Sequence, residues 1–128
     1  MSSTEQFREY ENPPRWHFQD GLEISVPETA KRHDASSDDF VLIDIREPEE
    51  LEVCSIDGAV HIPMGDLVSR INEIDADEGT TIALICHTGR RSLKATLALQ
   101  EQGLAGTRSV AGGIEWWSLR IDPSVPRY

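Results

Sequence analysis

The 128-residue chain has only two cysteines, Cys54 and Cys86. Two are too few for a disulfide scaffold, so in a reducing compartment both are expected as free thiols. Long apolar runs are missing as well. No stretch approaches the roughly 20 apolar residues of a membrane span, and the opening MSSTEQFREYENPPRW has no apolar centre of signal-peptide type. These absences predict a cytoplasmic protein with no membrane partner. The four histidines, His17, His33, His61 and His87, show no paired metal-ligand spacing, and neither a metal nor a cofactor is expected. Internal repeats and low-complexity tracts are absent.

Acid is missing from one place in an otherwise acidic chain. The net charge is −11, and 20 of the 23 acidic residues precede residue 79. From Gly79 to Gln100 there is none, while Arg90, Arg91 and Lys94 give that window +3 and leave −14 on the remainder. An acidic body argues against nucleic acid, whose phosphates need a basic face. A basic island within it suits a small anion held at one place, although three chance cations on a solvated surface would look the same.

The length fits one compact domain. Residues 1–21 contain Pro13-Pro14 and no sustained period, which predicts an N-terminal arm that Trp16 and Phe18 could pin to a domain spanning 22–128. From residue 22 strands and helices alternate. Leu22 to Val26 reads as a strand, Pro27 as the first turn of a helix running to His33, and Phe40 to Ile43 as a buried strand ended by Asp44. Glu47 to Val53 reads as a short acidic helix, Ala59 to Ile62 as a strand, and Gly65 to Ile74 as a helix with apolar residues three and four apart. Thr81 to Ile85 is the strongest strand and looks buried on both faces. Cys86 to Arg91 reads as a turn and Ser92 to Gln102 as a helix stopped by Gly103. Thr107 to Val110 reads as a last strand, broken by Gly112-Gly113 ahead of a helical turn from Ile114 to Leu119. This alternation predicts an α/β fold, an open, mostly parallel five-stranded sheet with helices on both faces. Sites in such sheets form at the carboxyl ends of strands, which is where Cys86 falls.

Ile85-Cys86-His87-Thr88-Gly89-Arg90-Arg91-Ser92 is therefore a strand end, a six-residue loop with one glycine, and a helix start. Loop N–H groups can converge above the sulfur together with the free N–H groups and dipole of the helix. Such surroundings favour a thiolate, which can attack an electrophilic sulfur and hold it as an anionic persulfide. A buried cysteine at a strand end is also common as plain packing, and loop position alone leaves both readings open.

Four segments in order resemble the rhodanese family. Cys86-His87-Thr88-Gly89-Arg90-Arg91-Ser92 is similar to its active loop, Leu42-Ile43-Asp44-Ile45-Arg46 with Glu47 and Glu50 to its Asp-x-Arg strand end, Gly58-Ala59-Val60-His61-Ile62-Pro63 to its Gly-Ala-x-His-Ile-Pro segment, and Gly112-Gly113-Ile114-Glu115-Trp116-Trp117 to its Gly-Gly-x-x-x-Trp ending. The resemblance covers about residues 22 to 119. It implies a thiosulfate sulfurtransferase-like enzyme with Cys86 as the sulfur-accepting nucleophile. His87, Thr88, Gly89, Arg90 and Arg91 would form the cradle and Ser92 the helix start, with Asp44 and Arg46 beside the loop or serving as a structural ion pair. The ring of His87 is expected to point outward. The implied partner is a small anionic sulfur donor such as thiosulfate, with a sulfur-acceptor protein compatible with the same chemistry. Cys54 departs from the family pattern and reads either as a second, resolving thiol or as a packed one. Two other functions fit the scaffold: a catalytically silent protein-binding module, against which the intact cysteine and loop argue, and a phosphatase or arsenate reductase. The latter relatives place an arginine six positions after the cysteine, where this chain has Ser92.

Overall fold

From Ile82 onward every residue of the run Thr81-Ile82-Ala83-Leu84-Ile85 is buried, and two-sided burial puts such a strand in mid-sheet. In the computed structural model, which describes residues 3–128, that run is β4 (Thr81–Ile85). The other strands among the described residues are β1 (Glu23–Ile24), β2 (Phe40–Asp44), β3 (Val60–His61) and β5 (Thr107–Val110). They form one sheet of order β1-β5-β4-β2-β3 with every neighbouring pair parallel. The helices are α1 (Ser3–Phe7), α2 (Val26–Asp34), α3 (Pro48–Val53), α4 (Leu67–Arg70), α5 (Arg90–Glu101) and α6 (Gly113–Arg120).

Alternation along the strands sends side chains to two cores. Leu42, Ala83, Ile85 and Val110 pack with Val26 and Ala30 of α2 and with Ile114, Trp116 and Trp117 of α6. Ile43, Ile82, Leu84 and Cys86 pack with Leu67 of α4 and with Ala95 and Leu99 of α5. Helices thus cover both faces, as the β-α alternation predicts. No helix among the described residues is long and apolar enough to cross a membrane.

Several boundaries differ from those read in the sequence. The first strand is only Glu23–Ile24, because Ser25 accepts the Glu28 N–H at 3.2 Å and caps a helix that already includes Val26 and Pro27. Glu47 precedes α3 rather than opening it, and its N–H donates to the Glu50 carboxylate at 3.1 Å. The helix expected from Gly65 to Ile74 is a 3₁₀ turn at Met64–Asp66, a single α-turn at α4 and a second 3₁₀ turn at Ile71–Glu73. Only Leu67 of α4 is buried and Val68 is 57% exposed, so little packing holds a longer helix together. The arm residues pack onto α6: the rings of Phe7 and Trp116 lie 5.2 Å apart at 62°. The Trp116 indole donates to the Glu11 carbonyl at 3.2 Å. Trp16 is pinned by its indole N–H on Glu23 at 3.1 Å, whereas Phe18 stays exposed.

Candidate active site

Strand β4 delivers Cys86 to the carboxyl end of the sheet. In the parallel register Asp44 stands opposite both Ile85 and His61, so the ends of β2, β3 and β4 share one edge of the molecule. After Cys86 the chain turns at Gly89, whose φ is 102°. L-residues rarely adopt that angle. A Cβ there would also lie 3.1 Å from the Trp16 ring and 3.2 Å from the Gly112 nitrogen. The turn makes Gly89 the N-cap, so α5 starts at Arg90, two residues before the Ser92 start expected from the sequence, and Arg90 and Arg91 belong to its first turn.

This geometry aims donors at the sulfur. The Gly89 N–H lies 3.2 Å and the Ser92 N–H 3.3 Å from Cys86 Sγ. The second is a first-turn helix N–H with no intrahelical acceptor. The Ser92 hydroxyl stands 3.3 Å from Sγ and 2.7 Å from the Ser109 hydroxyl on β5. Cys86 itself is 1% exposed. The loop carbonyls face the other way: Cys86 O accepts from Ile114 N–H at 2.9 Å and His87 O from Glu115 N–H at 3.0 Å. Two helix N-termini therefore grip one loop, α5 through the sulfur and α6 through the carbonyls. The Gly112-Gly113 pair, read in the sequence as a break, serves this grip. A Cβ on Gly113 would come within 2.5 Å of both carbonyl oxygens.

Around the cradle, Thr88 and Arg90 are exposed and Arg91 half-buried. Arg91 forms a two-pronged pair with Glu50 at 2.6 and 2.8 Å. That bond holds the Glu50 carboxyl down at about 2 and the guanidinium above its ordinary value. The Arg90 side chain has no hydrogen bond or ion pair with a described residue. The His87 ring does not point freely outward as expected. It stacks on Tyr128 at 3.9 Å and 8°, with Nε2 buried and unpartnered.

Asp44 and Arg46 lie beside the loop as a buried ion pair, Nη2 to Oδ2 at 2.7 Å. Burial opposes the Arg46 charge, but bonds to Asp44 and Tyr128 outweigh it and hold the guanidinium above its usual value. Its other bonds go to Cys54 O at 2.8 Å, Cys54 Sγ at 3.6 Å, Glu50 O at 3.4 Å and Tyr128 Oη at 3.1 Å. Among the described residues neither side chain bonds the Cys86 loop. Cys54 is 7% exposed and packs in the α2–α6 core, the packed-thiol arrangement.

Four residues at the site were not among the sequence candidates. Glu50 was visible within the Asp-x-Arg stretch, and Ser109 as a small polar residue in a buried strand. Trp16 was visible only as an arm anchor. Nothing in the sequence flagged Tyr128.

The family model for the rhodanese-like domain matches residues 26–120. The chain is 38% identical over 96 residues to YrkF of Bacillus subtilis (strain 168), covering 75% of this chain and 50% of YrkF. It is 32% identical over 105 residues to the adenylyltransferase and sulfurtransferase UBA4 of Meyerozyma guilliermondii, covering 75% of this chain and 25% of UBA4. The chain thus spans half or less of the length of the curated relatives it matches. Among solved structures, a thiosulfate sulfurtransferase from Pseudomonas aeruginosa superposes with a TM-score of 0.69 at 26% identity, covering 77% of this chain and 19% of that one. The order of motifs, the parallel sheet and the family match agree: this chain belongs to the rhodanese-like domain family.

Proposed function

We propose that this chain is a sulfurtransferase that takes a sulfane sulfur from a small anionic donor such as thiosulfate, carries it as a persulfide on Cys86 and hands it to a thiophilic acceptor. The observation that carries the reading is the convergence of the Gly89 and Ser92 N–H groups on Cys86 Sγ at 3.2 and 3.3 Å, with the Ser92 hydroxyl accepting from the thiol at 3.3 Å. N–H groups fixed in advance around the sulfur are placed to hydrogen-bond the charge that develops there as sulfur arrives and leaves.

The chemistry balances without another reactant. The Cys86 thiolate attacks the outer sulfur of the donor. A new S–S bond forms at Sγ while the donor's S–S bond breaks, and the bonding pair leaves on sulfite when the donor is thiosulfate. The acceptor, cyanide or a thiolate, then attacks the outer sulfur, and the pair of the breaking bond returns to Sγ. Arg90, exposed and unpaired on the rim, supplies the attraction for the donor anion. The names of UBA4 and of the Pseudomonas protein include sulfurtransferase, and that of YrkF includes sulfur carrier protein. These names support sulfur transfer, with a protein as one acceptor class.

A phosphatase or arsenate reductase reading fits less well. Arg91, the last arginine of the loop, has both terminal nitrogens on Glu50 and leaves no fork for three equatorial oxygens. The test is intact mass after incubation with thiosulfate. Wild type and Cys54→Ser should each gain one sulfur atom and Cys86→Ser none, with negligible hydrolysis of an aryl phosphate by the same preparation. Labelling that persists in Cys86→Ser overturns the reading, as does phosphate hydrolysis with no sulfur transfer from any donor.

A further inference from the structure

Two aromatic side chains from outside the family-matched residues 26–120 meet the Cys86 loop. Trp16 lies against Gly89, anchored on Glu23. Tyr128 is tied more firmly. Its ring stacks on His87, its hydroxyl accepts from Arg46 Nη1 at 3.1 Å and donates to Glu50, and Glu50 holds Arg91 by both oxygens. Through these contacts Tyr128 spans the rim from the first residue after the cysteine to the fifth.

Beneath that rim the sulfur is almost inaccessible, with Cys86 1% exposed. A persulfide bond is about 2 Å long, so the transferred atom would rise by no more than that above Sγ. It would stay close to the buried sulfur, and the acceptor must come down to it. What bounds the rim therefore selects the acceptor.

We infer that Tyr128 is a specificity-determining residue: it closes the rim on the His87 side, so that sulfur on Cys86 passes to acceptors of narrow cross-section, a small anion or a thiol at the tip of an extended segment, and not to bulky thiols. The inference rests on the sulfur transfer proposed above and names the acceptor class of that same site. Its physical basis is rigidity. A stacked ring with two bonds on its hydroxyl does not swing aside as a lone surface side chain does. Partial burial pushes the phenol up to about 12, so it keeps its proton and its bond to Glu50 throughout the neutral range. The same ring holds His87, whose Nε2 has no partner, in place as a wall.

The test loads the full chain with sulfur from thiosulfate and quantifies the persulfide by intact mass. The loaded protein is then mixed with cyanide or with an ortho-dimethylated benzenethiol. Tyr128→Ala should raise the rate ratio of bulky thiol to cyanide about tenfold, and Tyr128→Phe, which keeps the stacked ring but loses both hydroxyl bonds, should raise it by an intermediate factor of about threefold. Unloaded protein gives a second readout: the alkylation rate of Cys86 by a bulky maleimide relative to iodoacetamide should rise most in Tyr128→Ala and less in Tyr128→Phe. A merely structural tyrosine would change both acceptors and both alkylating agents in proportion, and that result overturns the inference. Full loading with an unchanged ratio sinks this inference alone, whereas wild type that takes up no sulfur sinks the sulfur-transfer reading with it.

Discussion

Arg91 gives both terminal nitrogens, at 2.6 and 2.8 Å, to the two carboxylate oxygens of Glu50. One of the two loop arginines in the basic island is thereby neutralised by an acid from 41 residues upstream. Arg90, exposed and unpaired, is the loop cation left facing solvent on the rim.

That division of labour predicts unequal effects of the two arginines. Arg90→Ala should raise the KM for thiosulfate about fivefold to tenfold at low salt with kcat little changed, and the effect should shrink as salt is added. Steady-state assays at two ionic strengths check this. An effect that does not depend on salt would mean that Arg90 acts through packing instead.

The Glu50 carboxyl also makes stability depend on pH. Its folded value, lowered to about 2 chiefly by the Arg91 bond, lies below the ordinary 4.5. The stability it lends is complete above the unfolded value and disappears as pH falls through the folded one. The Arg91 side chain is 36% exposed, so solvent screening holds the contribution to about 1 kcal/mol. Urea unfolding should show Glu50→Gln less stable than wild type by about that amount near pH 7, with the gap closing between about pH 5 and pH 2. A gap of constant size across that range contradicts the assignment.

Gly113 offers a purely steric prediction. A methyl group there would meet the carbonyl oxygens of Cys86 and His87 at 2.5 Å, and both are backbone atoms held by α6 itself. The residue also sits at a φ of 62°. Gly113→Ala should cost about 3 kcal/mol and, by shifting the loop, slow sulfur uptake on Cys86 in the fraction that stays folded. Thermal unfolding and intact mass measure the two effects. Gly65→Ala, with nothing within 4 Å of its Cβ position, is the matched control and should change neither.

Much of the fold was legible because local patterns carried it. Thr81 to Ile85 and Thr107 to Val110 are strands with the boundaries read from the sequence, since apolar and β-branched runs between turn residues have few other ways to be buried. The helix at Arg90–Glu101 was legible in its body but not at its start. Propensity puts Ser92 at the cap, whereas the left-handed φ of Gly89 and the crowding by Trp16 and Gly112 begin it earlier. The segment from Gly65 to Ile74 has helical spacing but too little buried surface to sustain one helix.

By itself the sequence determined the order of elements, the sheet class, and the placing of a cysteine at the carboxyl end of the central strand before a helix start. Each of these follows from periodicity or spacing within a few tens of residues. Only the tertiary structure decided what surrounds that cysteine. Glu50 takes the charge of Arg91, and Asp44 and Arg46 are spent on each other. Ser109 backs Ser92 from another strand, and Tyr128 meets a ring 41 positions away. Such pairings depend on which strand ends share an edge and where a tail folds back, and neither leaves a mark in the sequence near the residues concerned.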